Sequence, residues 1–462
     1  MTEREFDVVV VGAGPAGEVC AGRLGESGLS VAIVERHLIG GECSFYACMP
    51  SKALLRPGEL LAEVRRIPGV QAVTGELDVQ AVFERRDEII HGLDDSHMEP
   101  WLADRGVTIV RERGRLAGER RVEAGDETLV ARKAVVMATG TDALIPPIDG
   151  LAEAETWTNR EATTASEVPE RLTILGGGVV GVEMAQAWRS LGSQVTLIEA
   201  GDRLIGREEP FAGEQVEQAL RERGVDVRLG VRAVAVRADG GEVEVELESG
   251  GPVRADELLV ATGRRPNTAD LGLESVGLEP GKPIDVDDWM RATEWLYAIG
   301  DVNGRALLTH MGKYQARIAA DAILGSGGPC LILDGARAPR VIFTDPQVAA
   351  VGYTLAAAEE AGLNARAVEV PTQASAGASF YGRDDAVGTS RLVVDEDAQV
   401  VVGATFTGPE VAEFLQAATI AVVAEVPLAR LAHAVPAFPT RSEVWLYLME
   451  KLGLSGPCQR ET

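Results

Sequence analysis

The residues in this sequence best suited to chemistry are two cysteines separated by four residues. Cys43 and Cys48 lie in the stretch Gly40–Lys52, GGECSFYACMPSK. A disulfide between them would close a loop short enough to open and re-form without unfolding anything. Pro50 follows, and then an apolar-periodic run (Ala53, Leu54, Leu55, Leu60, Leu61, Val64) that predicts a helix. Proline suits a first helical turn, where no backbone N–H is needed. Cys48 is therefore expected just before a helix N-terminus, whose partial positive charge favours a thiolate. Taken alone, the pair equally suits two buried cysteines packed in a helical turn.

Composition narrows the setting. At 462 residues the chain has room for about three domains, at about 150 residues each. Its hydrophobic and charged contents, 46% and 25%, are those of a soluble globular protein. Five cysteines (Cys20, Cys43, Cys48, Cys330, Cys458) are few and odd in number. That argues against a secreted disulfide framework and for a reducing, cytoplasmic compartment, where a close cysteine pair is catalytic more often than structural. No signal peptide and no apolar stretch of about 18 residues is visible. A formal net charge of −27 repels polyanions, so neither nucleic acid nor an anionic membrane is expected as a partner. Lysine is scarce, confined to Lys52, Lys133, Lys282, Lys313 and Lys451, and only Lys52 stands beside the cysteines.

Several elements must position that pair. Phe6–Val11 is a β-branched run followed by Gly12, Gly14 and Gly17 in G-x-G-x-x-G spacing, then a helix and a second strand, Val31–Val34, ending at Glu35. This is a βαβ dinucleotide fingerprint: glycines for the tight turn, close approach to a pyrophosphate and helix packing, and an acid for ribose hydroxyls. The construction recurs at Leu172–Leu175, Gly176, Gly178, Gly181 and Glu199, with first glycine and acid 23 residues apart in both copies. Two copies imply two dinucleotides. Strands ending in Ala-Thr-Gly, at Thr139-Gly140 and Gly263, are read as returns from the two nucleotide units. Glu199 disfavours the extra phosphate of NADP, so NADH is expected, with Arg203 and Arg207 the nearest basic residues. Asp301, ending the strand around Tyr297, is placed to accept from a polyol hydroxyl, and a helix is read from Lys313 to Leu324. From about Pro339 short strands (341–346, 348–352, 391–394, 400–406) alternate with helical runs (355–361, 411–424), predicting an α+β unit with an antiparallel sheet.

Taken in order, these motifs resemble the class I pyridine nucleotide-disulfide oxidoreductases, the family of dihydrolipoamide dehydrogenase, glutathione reductase and mercuric reductase. The resemblance runs from Val8 to about Gly453 and rests on Gly40–Lys52, Gly176–Glu183, Ala261–Pro266, Thr293–Asp301 and Val341–Gly352. It implies an α/β fold with two Rossmann-like nucleotide-binding domains and a C-terminal α+β dimerisation domain. The expected division is FAD-binding 1–150 and 265–335, NAD(P)-binding 151–264, and C-terminal 336–462. It implies that Gly12, Gly14, Gly17, Glu35 and Asp301 hold FAD, and that Gly176, Gly178, Gly181 and Glu199 hold the nicotinamide nucleotide. Gly41, Lys52, Gly114, Thr139, Gly140 and Gly263 complete the cofactor-binding set. Cys48 would face the flavin and Cys43 the substrate. Lys52 would pair with Glu183 beside the nicotinamide, and electrostatically favour thiolate and reduced flavin. The chain would work as a homodimer on a small-molecule substrate, with Phe438–Glu443 of one subunit completing the site around Cys43 of the other.

The sequence departs from the family where the family carries His-Pro-Thr-x-x-Glu. Here the segment is Phe438-Pro439-Thr440-Arg441-Ser442-Glu443, so the acid–base histidine is replaced by Phe438 while Glu443 remains. His433, five residues upstream, is expected at the surface or core edge. Positioned acid–base catalysis is worth about 10²–10⁴-fold, so slow turnover of lipoamide or glutathione disulfide is expected. Ser44–Ala47 is bulkier than the family's usual insert, and Cys458 reads as an incidental tail residue. Other functions fit the same motifs: reduction of quinones, electrophiles or metal ions at the flavin, C–S cleavage as in ketopropyl-coenzyme M carboxylase, which also carries Phe at this position, or a non-enzymatic redox sensor.

Overall fold

The computed structural model describes residues 2–67, 69–70, 73–328, 330–380 and 387–454. Cys458 lies outside them. Four strands, apolar where they are buried, make the centre of the first sheet. In spatial order they are Val107–Val110, Val31–Val34, Thr2–Val11 and Glu127–Met137, all parallel. Their registers set Val8 opposite both Val31 and Ala134. Val8, Val9 and Val10 are fully buried because helices or sheet cover both faces, which is why these strands read as unbroken apolar runs. Arg121–Ala124 and Gly114–Leu116 extend the sheet antiparallel, and Leu296–Ala298 returns from far along the chain to pair in parallel with Glu127–Met137. The Pro15–Glu26 helix lies against the Thr309–Leu324 helix, with Ala16 close to Gly312.

A second parallel sheet repeats the design in the order Asp226–Leu229, Gln194–Glu199, Arg171–Leu175 and Glu257–Val260. A three-stranded antiparallel sheet, Ala233–Asp239, Glu242–Leu247 and Val253–Ala255, accompanies it. Two short strands, Thr141–Ala143 and Arg264–Pro266, pair where the chain passes between the two nucleotide units.

The C-terminal part is a five-stranded antiparallel sheet in the order Arg340–Ile342, Gln347–Gly352, Val400–Gly408, Thr389–Asp395 and Ala365–Pro371. Phe406, Leu392 and Val351 face a core closed by Trp445 and Leu448 of the last helix. The Ala365–Pro371 strand has no counterpart in the sequence reading, and the run 411–424 divides into a 3₁₀ turn, Val411–Phe414, and a helix, Leu415–Val423. The helix expected from Lys313 starts at Thr309. No helix among the described residues is long and apolar enough to cross a membrane.

Asp345 joins three regions of the chain. Its carboxylate pairs with Arg66, at the end of the Cys48–Arg66 helix, and with Arg223 of the second nucleotide unit, while its N–H donates to Gln186 Oε1 at 2.7 Å.

Candidate active site

Gly40 adopts the left-handed conformation (φ 104°), and the chain then makes one helical turn, Gly41–Phe45, carrying Cys43. The Cys48–Arg66 helix follows directly. Cys48 is thus the first residue of that helix rather than the residue before it, and Pro50 falls in its first turn. The N-terminal amides and dipole act on Cys48 from within the helix.

The Cys43 and Cys48 thiols are free and hydrogen-bonded to each other. Thr309 Oγ1, at the start of its helix, lies 3.3 Å from Cys48 Sγ and also bonds Cys43. The pair splits in acidity. The bond from Cys43, with help from the Thr309 hydroxyl and the Lys52 charge and against the cost of burial, pushes Cys48 down to about 6. The same bond to Cys48, burial, and the neighbouring thiolate push Cys43 up. The helix N-terminus and the Thr309 hydroxyl favour a negative charge on Cys48.

Lys52, one turn into the helix, donates to Glu183 Oε2 at 2.7 Å. Glu183 is buried on the Val179–Ser190 helix of the second nucleotide unit, and its other oxygen accepts from Phe343 N at 2.9 Å. Lys52 Nζ also lies 4.9 Å from the centre of the Phe343 ring.

Cys43 opens onto a cleft of about 490 Å³. Of the residues expected to hold FAD, Gly12, Gly14, Glu35, Gly41, Gly114, Thr139, Gly140 and Asp301 all line it. A Cβ on Gly12 would stand 2.4 Å from Ala138 O, and one on Gly17 would stand 1.9 Å from Gly12 O, so neither position tolerates a side chain. A Cβ on Gly14 would meet nothing within 4 Å and would project into open space. That is the shape a pyrophosphate needs: two glycines for packing and one for ligand approach. The second copy repeats it closely. Gly176 faces Ala261 O at 2.4 Å, Gly181 faces Gly176 O at 1.8 Å, and Gly178 meets nothing within 4 Å. The second-copy residues lie apart from the cleft.

The acids also match. Glu35 accepts from Ala13 N and His37 N, both at 2.7 Å, and Glu199 accepts from Gly177 N at 2.5 Å and Gly201 N at 2.6 Å. Each carboxylate is fixed by its own loop and keeps lone pairs free for a ribose. Asp301 accepts from Thr141 Oγ1 at 2.9 Å, and burial raises its pKa against that bond and the nearby Arg264.

Sequence reasoning missed a set of contacts around the redox turn. Glu42 binds Arg160 Nε at 2.6 Å and Asn159 Nδ2 at 2.7 Å, and Asn159 also donates to Tyr46 O at 2.8 Å. Tyr46 stacks on His37, with its hydroxyl 3.0 Å from His37 Nε2. The bulky insert between the cysteines is therefore pinned on both sides. Thr309 was also missed, because its helix carries no side-chain cap to mark its start.

Phe438 and Glu443 are not brought to the cysteines within one chain. Phe438 is 77% exposed. Glu443 is buried, closing a capping box with Thr440 and accepting from Gly377 N at 3.1 Å. His433 is exposed. Gly263, with φ 143°, lies beside the Leu144 side chain, next to Arg264 at the cleft wall.

The family model described as pyridine nucleotide-disulphide oxidoreductase matches residues 6–320, and the model of that family's dimerisation domain matches 338–448. A dihydrolipoyl dehydrogenase from Chlamydia pneumoniae is 31% identical over 450 residues, covering 96% of both chains. A mercuric reductase from Staphylococcus aureus is 30% identical over 426 residues, covering 90% of this chain and 77% of that protein. Among solved structures, a Cu(II) complex of the HOCl-induced flavoprotein disulfide reductase RclA from Escherichia coli superposes with a TM-score of 0.85 at 25% identity, over 97% of this chain and 99% of that one. LpdA from Mycobacterium tuberculosis superposes with a TM-score of 0.84 at 27% identity, over 98% of this chain and all of that one.

Proposed function

The chain belongs to the pyridine nucleotide-disulphide oxidoreductase family and is a FAD-dependent oxidoreductase drawing on NAD(P)H. On that premise we propose that it carries electrons from NADH to the Cys43–Cys48 pair and on to a small disulfide. The observation that carries this reading is the thiol pair, bonded to itself and to Thr309, opening onto a cleft whose glycines leave room for a dinucleotide. Bound FAD would supply the two-electron link between nicotinamide and disulfide. The domains are read as FAD-binding 1–150 and 265–335, NAD-binding 151–264, and C-terminal 336–462.

The chain's own residues set the rest. Cys48 keeps the first thiolate, supported by the Thr309 hydroxyl and the Lys52 charge. Glu183 fixes the Lys52 ammonium and ties the redox helix to the nucleotide unit that would bring the nicotinamide. Cys43 attacks one sulfur of the acceptor, the acceptor's S–S bond breaks, and the departing thiolate takes a proton. Cys48 then attacks the Cys43 sulfur, releasing the second half of the acceptor and restoring the Cys43–Cys48 disulfide. NADH is favoured over NADPH because the Glu199 carboxylate is held in place by two loop N–H groups, while Arg203 is partly spent on Gly206 O.

The working unit is read as a homodimer. Exposed Phe438, Val435, Phe380 and Ile420 fit an interface, and Phe438 would there face the partner's Cys43. Phenylalanine cannot carry a proton, so slow disulfide turnover is expected, and quinones or soft metal ions, which need no proton on a departing sulfur, are the alternative acceptors. The test is NADH-dependent turnover of a disulfide and a quinone panel by the wild type and Cys43→Ser. Loss of disulfide reduction in the variant is expected. Disulfide turnover that survives the substitution would end the reading.

A further inference from the structure

Lys52 is held by more than its carboxylate partner. Its ammonium donates to Glu183 Oε2 at 2.7 Å and to Ser51 Oγ at 3.3 Å, and Ser51 Oγ in turn donates to Cys48 O at 3.3 Å. Two of its three donors are thus used, and one leads back to the turn that opens at Cys48. The centre of the Phe343 ring lies 4.9 Å from the same nitrogen, within cation–π range. A lysine stem is long and flexible, so each contact narrows where the charge can stand.

Phe343 reaches this pair twice. Besides the ring, its backbone N–H donates to Glu183 Oε1 at 2.9 Å. The N–H and the ammonium take one oxygen each, so the buried carboxylate cannot turn without losing one of them. Two residues on, Asp345 N–H donates to Gln186 Oε1 at 2.7 Å. Glu183 and Gln186 stand three apart on one helix and share a face. The Asp345 carboxylate also takes Arg66 Nη1 at 3.0 Å, at the far end of the redox helix. The stretch that follows the Arg340–Ile342 strand therefore fastens the redox helix near both ends and the nucleotide-unit helix along one face. Within that stretch it is the Phe343 ring that meets the Lys52 charge.

We propose that Phe343 is a positioning residue for the redox pair: its N–H fixes Glu183, and its ring holds the Lys52 ammonium toward the turn that carries Cys48. This rests on the reading that the Lys52 charge serves the Cys48 thiolate. The C-terminal unit then acts on the cysteines within one chain, independently of Phe438.

The test has two readouts on flavin-loaded enzyme. Acetic anhydride labelling of Lys52, relative to exposed Lys282 in the same sample, reports how firmly the ammonium is held. The pH profile of Cys48 alkylation by iodoacetamide, in a Cys43→Ser background, reports the thiolate. Phe343→Leu keeps the backbone N–H and should raise Lys52 labelling at neutral pH by about two- to fivefold, the worth of a partly exposed cation–π contact. It should also move the midpoint of the Cys48 profile upward, by less than Lys52→Met does. Phe343→Tyr keeps a π face and should restore both readouts. Phe343→Met, which also lacks the ring, repeats the comparison should Phe343→Leu fail to load flavin. Unchanged Lys52 labelling would overturn the proposal. So would a Cys48 rate changed by one factor at every pH, the mark of lost packing alone, while Lys52→Met moves the midpoint. If Lys52→Met itself left the midpoint unmoved, the reading of Lys52 would fall first and the proposal with it.

Discussion

Replacing Lys52 by Met should cost far more than a surface lysine would. Its Nζ lies 2.7 Å from Glu183 Oε2, with the Glu183 side chain 4% exposed and that of Lys52 35% exposed. At an effective dielectric of about 20 the gross attraction at that distance is about 6 kcal/mol. Much of this offsets the desolvation of Glu183, and the exposure of Lys52 screens more. Truncating Lys52 leaves a buried carboxylate with only the Phe343 N–H, and such stranded charges cost about 3–5 kcal/mol. Partial exposure places this one at the low end, about 3 kcal/mol. Lys52→Met with Glu183→Gln removes the stranded charge and keeps an acceptor for Phe343 N, so most of the loss should return. The assay is urea unfolding of the flavin-loaded enzyme for wild type, both single variants and the double. Lys52→Met should also slow Cys48 alkylation at neutral pH, since the Lys52 charge favours that thiolate. A double variant no more stable than Lys52→Met, or a Lys52→Met midpoint equal to the wild type, would refute the account of this pair.

Glu18 gives a pH prediction. Burial raises its pKa from 4.5 to about 7, so the native state holds the extra proton and its stability falls as pH rises through that window. Glu18→Gln should therefore match the wild type below about pH 4.5 and exceed it above about pH 7, by at most about 3 kcal/mol, read by chemical unfolding at both pH values. The glycine cradle predicts a split between Gly14→Ala and Gly17→Ala. Gly17→Ala should damage folding, with its Cβ 1.9 Å from Gly12 O, whereas Gly14→Ala should fold and lose flavin, seen as a lower ratio of flavin to protein absorbance. Phe438→His should raise disulfide turnover by about 10²–10⁴-fold, and an unchanged rate would show that this position does not reach Cys43 in the assembled enzyme.

What could be read from the sequence was what local backbone chemistry demands. Gly12 and Gly176 take φ values of 103° and 108° beside a neighbouring carbonyl, and no other residue type fits there, so both nucleotide units announced themselves. The cysteine pair, Pro50 and the apolar run after it marked the redox helix for the same reason. The one-turn helix at Gly41–Phe45 is too short for periodicity to reveal, and it moved Cys48 into the following helix. The Thr309 helix begins on an uncapped Leu308, so its contact with Cys48 had no local sign. Glu42, Asn159, Arg160 and Arg264 meet from segments more than a hundred residues apart, and only the fold brings them together. Lys52 and Glu183, 131 positions apart, could be paired in advance only through the family resemblance.

The most direct test of the redox pair is a count of alkylatable cysteines. Oxidised, flavin-loaded enzyme is treated under anaerobic conditions with one equivalent of NADH, quenched with iodoacetamide and read by peptide mass. Electron delivery to the pair predicts that the peptides carrying Cys43 and Cys48 change from disulfide-linked to alkylated on NADH addition. Bleaching of the flavin with both peptides still linked would contradict it.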